Sequence, residues 1–281
     1  MNILYCGDEN IENGLIISIL SLLKNVKEEL KIYVLTMNMQ NEKKIFKSIS
    51  GSSIKFLDNR VKQENSASFV KKIDITELFE SSTPTKNMQT RFTPYCMIRL
   101  FADKIEELPN KILYLDTDVV CRKDFSEFYN QDIEEYELVG VLDHYGKWFF
   151  KKNIFKMDYI NSGVLLLNLT KIKETGLFKK CRKMCQEEEM FMPDQSAINR
   201  LASSKKIVSR KYNEQRKVHK DTVFQHFTTS FRFFPWFHTL TIKPWQIDRM
   251  HEELNITEYD DILEEYKSII KEIEKVTIMG E

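Results

Sequence analysis

Ile112-Leu113-Tyr114-Leu115-Asp116-Thr117-Asp118-Val119-Val120 is the stretch on which the fold turns. An apolar run leads straight into two carboxylates one residue apart. The run reads as a buried strand over Lys111 to Leu115. In extended backbone, positions i and i+2 point the same way, so Asp116 and Asp118 are expected to converge on one cation at the strand's C-terminal end. Hard carboxylate oxygens suit Mg2+ or Mn2+. An ion held there bridges two phosphates and neutralises a diphosphate leaving group. Acidic residues also end strands without any chemical role, so the triplet takes its meaning from its context.

Upstream, strands and helices alternate. Asn2 to Cys6, ended by Gly7, reads as a buried strand, and Ile11 to Lys24 carries apolar residues at helical spacing. Lys31 to Met37 reads as a second strand, Glu42 to Ile49 as a short helix, and Ser53 to Leu57 as a third strand. Thr93-Pro94 opens a helix expected to run to Leu108. Repeated β-α-β units predict an α/β fold with a mainly parallel sheet and helices on both faces. Ligands of such sheets bind at the C-terminal ends of the strands, where the two aspartates lie.

Downstream, Glu137 to Leu142 and Tyr159 to Leu169 read as strands, and Leu177 to Glu189 and Asp194 to Ser203 as helices. Asn161-Ser162-Gly163 stands at the entry of the second of these strands. A polar Asn and a glycine there suit close approach of backbone to a ligand. Asp194-Gln195 opens a helix after Met192-Pro193, where an Asp also serves as an ordinary cap. His226 ends a strand expected over Thr222 to Phe227, and a His beside two carboxylates completes a Mn2+ site. The aromatic stretch Phe231 to Leu240 is a poor regular helix, and Ile256 to Val276 reads as an acidic amphipathic helix.

Composition narrows the classes. The chain has 281 residues, 42% of them hydrophobic, enough for one sizeable core. Lys+Arg and Asp+Glu are both 42, so no global basic footprint points to nucleic acid. Lys205 to Lys220 is locally basic and reads as a solvated face rather than a binding patch. The five cysteines, Cys6, Cys96, Cys121, Cys181 and Cys185, suit reduced thiols. Acidic residues interrupt the N-terminus before any apolar signal segment forms, and no run approaches the ~20 apolar residues of a membrane span. A cytoplasmic location is the expectation.

These motifs together resemble glycosyltransferase family 8, the retaining GT-A enzymes that include glycogenin and bacterial lipopolysaccharide galactosyl- and glucosyltransferases. The likeness runs from Ile3 to about Trp245. Its anchors are Asp8-Glu9-Asn10, Arg99-Leu100, Leu113 to Asp118, Asn161 to Leu169, Asp194-Gln195 and Lys243-Pro244-Trp245. The resemblance implies a transferase domain over 1–250 and a helical extension over 251–281. It implies that a hexose, galactose or glucose, moves from a UDP-sugar donor to a hydroxyl of a glycan or lipid-linked glycan. It assigns Asp8 and Asn10 to the uridine portion and Arg99 to the phosphates or sugar, with Thr117 and Ser162 falling inside donor-contacting motifs. Asp116 and Asp118 are implied to bind Mn2+ (or Mg2+) with a late histidine. Asp143 and Asn161 line the donor-sugar and acceptor region beside Gly163. Asp194 holds sugar hydroxyls, Gln195 sits by the anomeric carbon, and Lys243 meets the diphosphate.

The sequence departs from the family between Phe227 and Ile242, where an insertion separates His226 from Lys243. His226 is the expected metal ligand, and His238 is the runner-up. The ring-rich insertion, with Trp236 and Phe237, caps the core or docks peripherally on the inner face of the membrane. Two other readings stay open. Asp116-Thr117-Asp118-Val119-Val120 also resembles the nucleophile motif of haloacid-dehalogenase-type phosphatases, with Asp116 attacking phosphorus. A non-catalytic nucleotide-sugar-binding protein would carry the same residues.

Overall fold

The computed structural model describes residues 1–40, 45–88, 94–146, 158–232, 236 and 238–279, with backbone alone at 231, 232, 238 and 276–279. The first four strands in chain order are β1 (Asn2–Cys6), β2 (Lys31–Thr36), β3 (Met39–Gln40) and β4 (Ile45–Phe46). There follow β5 (Phe69–Asp74), β6 (Lys111–Leu115), β7 (Val119–Cys121), β8 (Leu138–Leu142) and β9 (Ile160–Asn168). The last are β10 (Lys205–Ile207), β11 (Phe224–His226), β12 (Ser230–Arg232) and β13 (His238–Leu240). Seven strands form the central sheet in the order β10-β8-β9-β6-β1-β2-β5. Neighbours are parallel except at β9, which runs antiparallel to both β6 and β8.

Alternation along the strands divides the core into two layers. Ile3, Tyr5, Leu113 and Leu115 face one side, where the helix Glu12–Asn25 buries Leu15, Ile16 and Ile19. Leu4, Ile112 and Tyr114 face the other, against the helical segment Pro94–Lys104 and the helices Leu177–Glu187 and Pro193–Leu201. The C-terminal helix Asp260–Met279 joins the first layer through Ile262, Leu263, Tyr266 and Ile269. Lys24–Asp261 and Arg60–Glu265 ion pairs, at 2.5 and 2.6 Å, tie its outer face to the neighbouring helices. Cys181 and Cys185 are buried in the second layer, where burial raises both thiols.

Three local readings are corrected. Ser53 to Leu57 is not a strand but part of the helix Gly51–Glu64. Ser50 caps it, its hydroxyl accepting from Ser53 N–H at 3.1 Å, and Ile54, Leu57 and Val61 bury one face at helical spacing. The third strand of the sheet is β5, an edge strand whose Lys71, Lys72 and Asp74 hid it from a search for apolar runs. Of the short helix expected over Glu42 to Ile49, residues 41–44 lie outside the described residues and Ile45–Phe46 is a strand paired with Met39–Gln40. The helix expected from Thr93 is seen from Pro94 and takes the tighter 3-10 form, Thr93 lying outside the described residues.

Candidate metal and donor site

Three strand ends meet at one edge of the sheet. β6 delivers Asp116 at its C-terminal end. Because β9 is antiparallel to β6, its beginning lies beside that end, with Leu115 opposite Val164 and Asp116 N–H donating to the Gly163 carbonyl at 2.8 Å. β8 pairs with the same part of β9, so Asp143 follows directly, its N–H donating to the Tyr159 carbonyl at 2.9 Å. Asn161-Ser162-Gly163 thus lies among the first residues of β9, at the entry of the strand as expected.

Asp116 and Asp118 converge, but not as extended neighbours. Val119 N–H donates to the Asp116 carbonyl at 3.1 Å, closing a turn between β6 and β7. β7 then pairs with β11, which sets His226 opposite Val119. His226 Nε2 lies 3.2 Å from Asp118 Oδ1 and 3.6 Å from Asp116 Oδ2. Ligand atoms of these three residues all lie within 4.8 Å of one another. Two carboxylates and an imidazole are a donor set that suits Mn2+ or Mg2+. The space beside them is kept by Gly163: a Cβ there would lie 2.1 Å from His226 Cε1 and 2.9 Å from Asp116 Oδ2. The residues present therefore fit a divalent cation. The side chain of His238, the alternative, lies outside the described residues, and its backbone stands in β13.

The surroundings orient this set. Asn213 Nδ2 donates to Asn161 Oδ1 at 3.0 Å, so its own oxygen is left to accept from His226 Nδ1 at 3.1 Å. The proton on Nδ1 turns the Nε2 lone pair toward the carboxylates. Asn213 was invisible in the sequence because nothing local marks an asparagine that packs behind a histidine 13 residues away. Lys243 Nζ binds Asp118 Oδ2. Burial alone would raise the Asp118 carboxyl, but Lys243 and His226 outweigh it and hold it well below the usual carboxylate range.

Arg99 lies beneath, buried, with its guanidinium 4.0 Å above the Tyr114 ring. Its Nη1 donates to the Ser162 carbonyl at 2.6 Å and its Nη2 to Asp116 Oδ1 at 2.9 Å, while Nε lies 3.3 Å from Asp194 Oδ2. Tyr114 also donates to Asp116 Oδ1, at 2.5 Å. Burial raises the Asp194 carboxyl, and Arg99 offsets part of that rise. Asp194 and Gln195 come from the N-terminal turn of Pro193–Leu201. Gln195 accepts from Ser162 N–H at 2.9 Å and donates to Asp143 Oδ2 at 3.2 Å, so both ends of its amide are engaged. Asp143 Oδ2 also accepts from Asn161 at 2.9 Å.

A cavity of about 570 Å³ opens over these groups, lined by Arg99, Asp116, Asp118, Asp143, Asn161, Ser162, Asp194, Gln195, His226 and Lys243. Thr228, Thr229 and Thr239 wall it, so the described strands of the insertion that interrupts the family pattern, β12 and β13, pair at its rim. Phe233 to Pro235 and Phe237 lie outside the described residues. Thr117, Asp8 and Asn10 are not among the described residues lining this cavity. Thr117 presents its carbonyl to the helix after β1, where a Cβ on Gly14 would lie 2.6 Å from that oxygen. Asp8 is buried just past β1, its Oδ2 accepting from Asn10 Nδ2 at 2.7 Å, and burial raises its carboxyl.

The profile of glycosyl transferase family 8 matches residues 2–248. The chain belongs to that family. A Haemophilus influenzae protein described as a glycosyltransferase is 27% identical over 223 residues, covering 76% of this chain and 63% of the relative. The chain therefore spans less than two thirds of that relative, and only 16% and 14% of two streptococcal glycosyltransferases that match a shorter stretch. The lipopolysaccharide 1,3-galactosyltransferase of Salmonella typhimurium is 25% identical over 252 residues, 80% of this chain and 70% of that one. Among solved structures, the galactosyltransferase LgtC in complex with donor and acceptor sugar analogs aligns with a TM-score of 0.70 at 18% identity, over 95% of this chain and 96% of that one. The architecture is thus of the GT-A type.

Family membership corrects the phosphatase reading, and the order of elements agrees. The Asp-x-Asp strand is β6, preceded in the chain by several β-α units, whereas the phosphatase motif usually opens its fold on the first strand. Among the described residues no helix is long and apolar enough to cross a membrane.

Proposed function

We propose that this chain transfers a hexose from a UDP-sugar, with galactose or glucose the expected sugars, to a hydroxyl of a glycan or lipid-linked glycan, with retention at the anomeric carbon. The observation that carries the reading is the convergence of Asp116, Asp118 and His226, with Lys243 on Asp118, beneath a cavity lined by Asp143, Asn161, Asp194 and Gln195. We assign the transferase unit to 1–250 and the helical extension to 251–281.

Asp116, Asp118 and His226 would hold Mn2+ or Mg2+, which supplies charge neutralisation to the departing diphosphate. Lys243 adds a cation on the same side. Asp8 and Asn10 meet the uridine portion, near the end of β1, with Thr117 at the adjoining turn. Arg99 braces Asp116 and Asp194 and thereby fixes the floor of the sugar pocket, to which Ser162 and Gly163 contribute backbone. Asp194 takes a sugar hydroxyl. Gln195, tied at both amide ends, positions Asp143 and Ser162 and is no nucleophile. That favours attack on the donor's own face. The bond from the anomeric carbon to the phosphate oxygen breaks with its electron pair on the phosphate. The acceptor oxygen bonds to that carbon, and its proton passes to the leaving phosphate.

A panel of UDP-sugars with Mn2+ and no acceptor, read by release of UDP, tests this reading and selects the sugar. Binding without release from any donor would support a nucleotide-sugar-binding protein instead. We further propose peripheral association with membranes that carry the acceptor. It is motivated by Trp236, a large apolar side chain that is 70% exposed. Co-sedimentation with liposomes, lost in Trp236→Ala, tests it; wild type that stays in the supernatant overturns it.

A further inference from the structure

A second cavity, of about 960 Å³, lies on the other side of the wall formed by Gln215, His226 and Thr228, which line both. Its basic side comes from the segment that the sequence presents as a solvated face. There Arg210 Nη1 lies 2.8 Å from His144 Nδ1, and Arg216 Nη1 lies 2.9 Å from His144 Nε2. This arrangement has one donor too many. A neutral imidazole has one nitrogen that accepts and one that donates, and a protonated imidazole has none that accepts. Arg210 and Arg216 are exposed, so the guanidinium N–H that His144 cannot receive is open to solvent or to an anion. Burial and the two arginines lower the His144 pKa, so the neutral ring is the favoured form.

Asp143 and Glu214 act on His144 through space, but neither forms an ion pair with the two arginines. Glu258, on the cavity wall, is held by Arg122 at 2.6 Å. Glu214 uses its Oε1 to accept from the Arg216 backbone N–H at 3.0 Å. Among the described residues neither Arg210 nor Arg216 has a carboxylate partner within ion-pair distance. Lys217 lines the same side. Two guanidiniums around one imidazole, open to a cavity of this size, make a receptor for an oxyanion, whose oxygens would accept the N–H groups that His144 cannot.

The cluster is also coupled to the reaction centre. His144 follows Asp143 in the chain, and its N–H donates to Gln215 Oε1 at 2.9 Å. The Arg216 guanidinium lies 5.9 Å from the ring of Tyr145, which lines the first cavity. We propose that His144, Arg210 and Arg216 form an anion subsite for the acceptor, so that this chain glycosylates a saccharide carrying a phosphate or a carboxylate. The proposal rests on the transferase reading for the word acceptor, but not for the binding of the anion.

The test measures affinity of the whole chain, loaded with UDP and Mn2+, for glucose 6-phosphate, glucuronate and glucose by titration calorimetry. UDP release from the donor is followed separately. One or both anionic sugars are expected to bind about tenfold or more tighter than glucose, and the two arms tell phosphate from carboxylate. Arg210→Gln/Arg216→Gln is expected to lose that preference, Arg210→Lys/Arg216→Lys to keep part of it, and both to release UDP at the wild-type rate. Equal binding of the three sugars by wild type overturns the subsite whatever the variants do, as does a preference that survives the glutamine variant. If UDP release is absent from wild type while the anion preference stands, the transferase reading fails and the anion site does not.

Discussion

Asn213 Oδ1 stands 3.1 Å from His226 Nδ1, behind the ring and away from the carboxylates. The amide's own orientation is set in turn, because its nitrogen donates to Asn161 Oδ1. Asp143, Asn161, Asn213 and His226 therefore form one buried hydrogen-bonded chain that runs from the sugar pocket to the metal set.

Removing the acceptor behind His226 should loosen the ring. Asn213→Leu is expected to weaken Mn2+ binding by about 10- to 100-fold while far-ultraviolet circular dichroism stays native. Titration of Mn2+ into the chelator-treated variant measures this. Unchanged affinity would mean that Asn213 only fills space.

Gly163 is where side-chain volume cannot be added. In Gly163→Ala the new carbon would lie 2.1 Å from His226 Cε1, so the ring or the strand must shift. A stability loss of about 1–3 kcal/mol is expected from overpacking. Mn2+ affinity should fall with it, in contrast to Gly51→Ala, where nothing lies within 4 Å. Denaturant melts of the two variants side by side give the comparison.

Arg99 pairs with both Asp116 and Asp194, and it offsets the rise that burial imposes on the Asp194 carboxyl. Arg99→Lys keeps one charge but loses the fork that reaches Ser162, Asp116 and Asp194 together. A destabilisation of about 1–3 kcal/mol is expected, because the charge stays and what is lost is hydrogen bonding to buried groups. A variant as stable as wild type in urea would contradict the bracing role.

Asp118 carries a pH signature. Its carboxyl is held below its unfolded value of ~3.9, so its contribution to stability is present above that value and is lost as pH falls through the lowered one. In chelator, Asp118→Asn should cost about 1–3 kcal/mol at neutral pH. The gap between variant and wild type should close in strongly acidic buffer. Thermal melts across the acid range test the sign: a gap that widens toward acid would contradict it.

Much of this architecture was legible because buried strands of an α/β sheet are continuous apolar runs. β1, β2, β6 and β9 announce themselves in that way, and β6 carries its two aspartates with it. β5 did not, since an edge strand covered on fewer sides keeps Lys71 and Lys72 in its run. Ile54-Lys55-Phe56-Leu57 suggested a strand over a short window, and only the longer spacing to Val61 and the cap at Ser50 reveal the helix. Of the site, residues at strand ends and in motifs were readable. Tyr114 and Asn213 were not: Tyr114 reads as one more apolar strand position, and the partner of Asn213 is defined by folding alone. The turn at Asp116–Asp118 was hidden for a related reason. Its conformation is set by β7 leaving to pair with β11, a contact made about a hundred residues later in the chain.

The most direct test of the account is the affinity of UDP for the chain, measured by calorimetry with Mn2+ and again with chelator, for wild type and for Asp118→Ala. The account predicts tight binding by wild type with Mn2+, at least about tenfold weaker binding in chelator, and no rescue by Mn2+ in the variant. Equal affinity in all four conditions would contradict it.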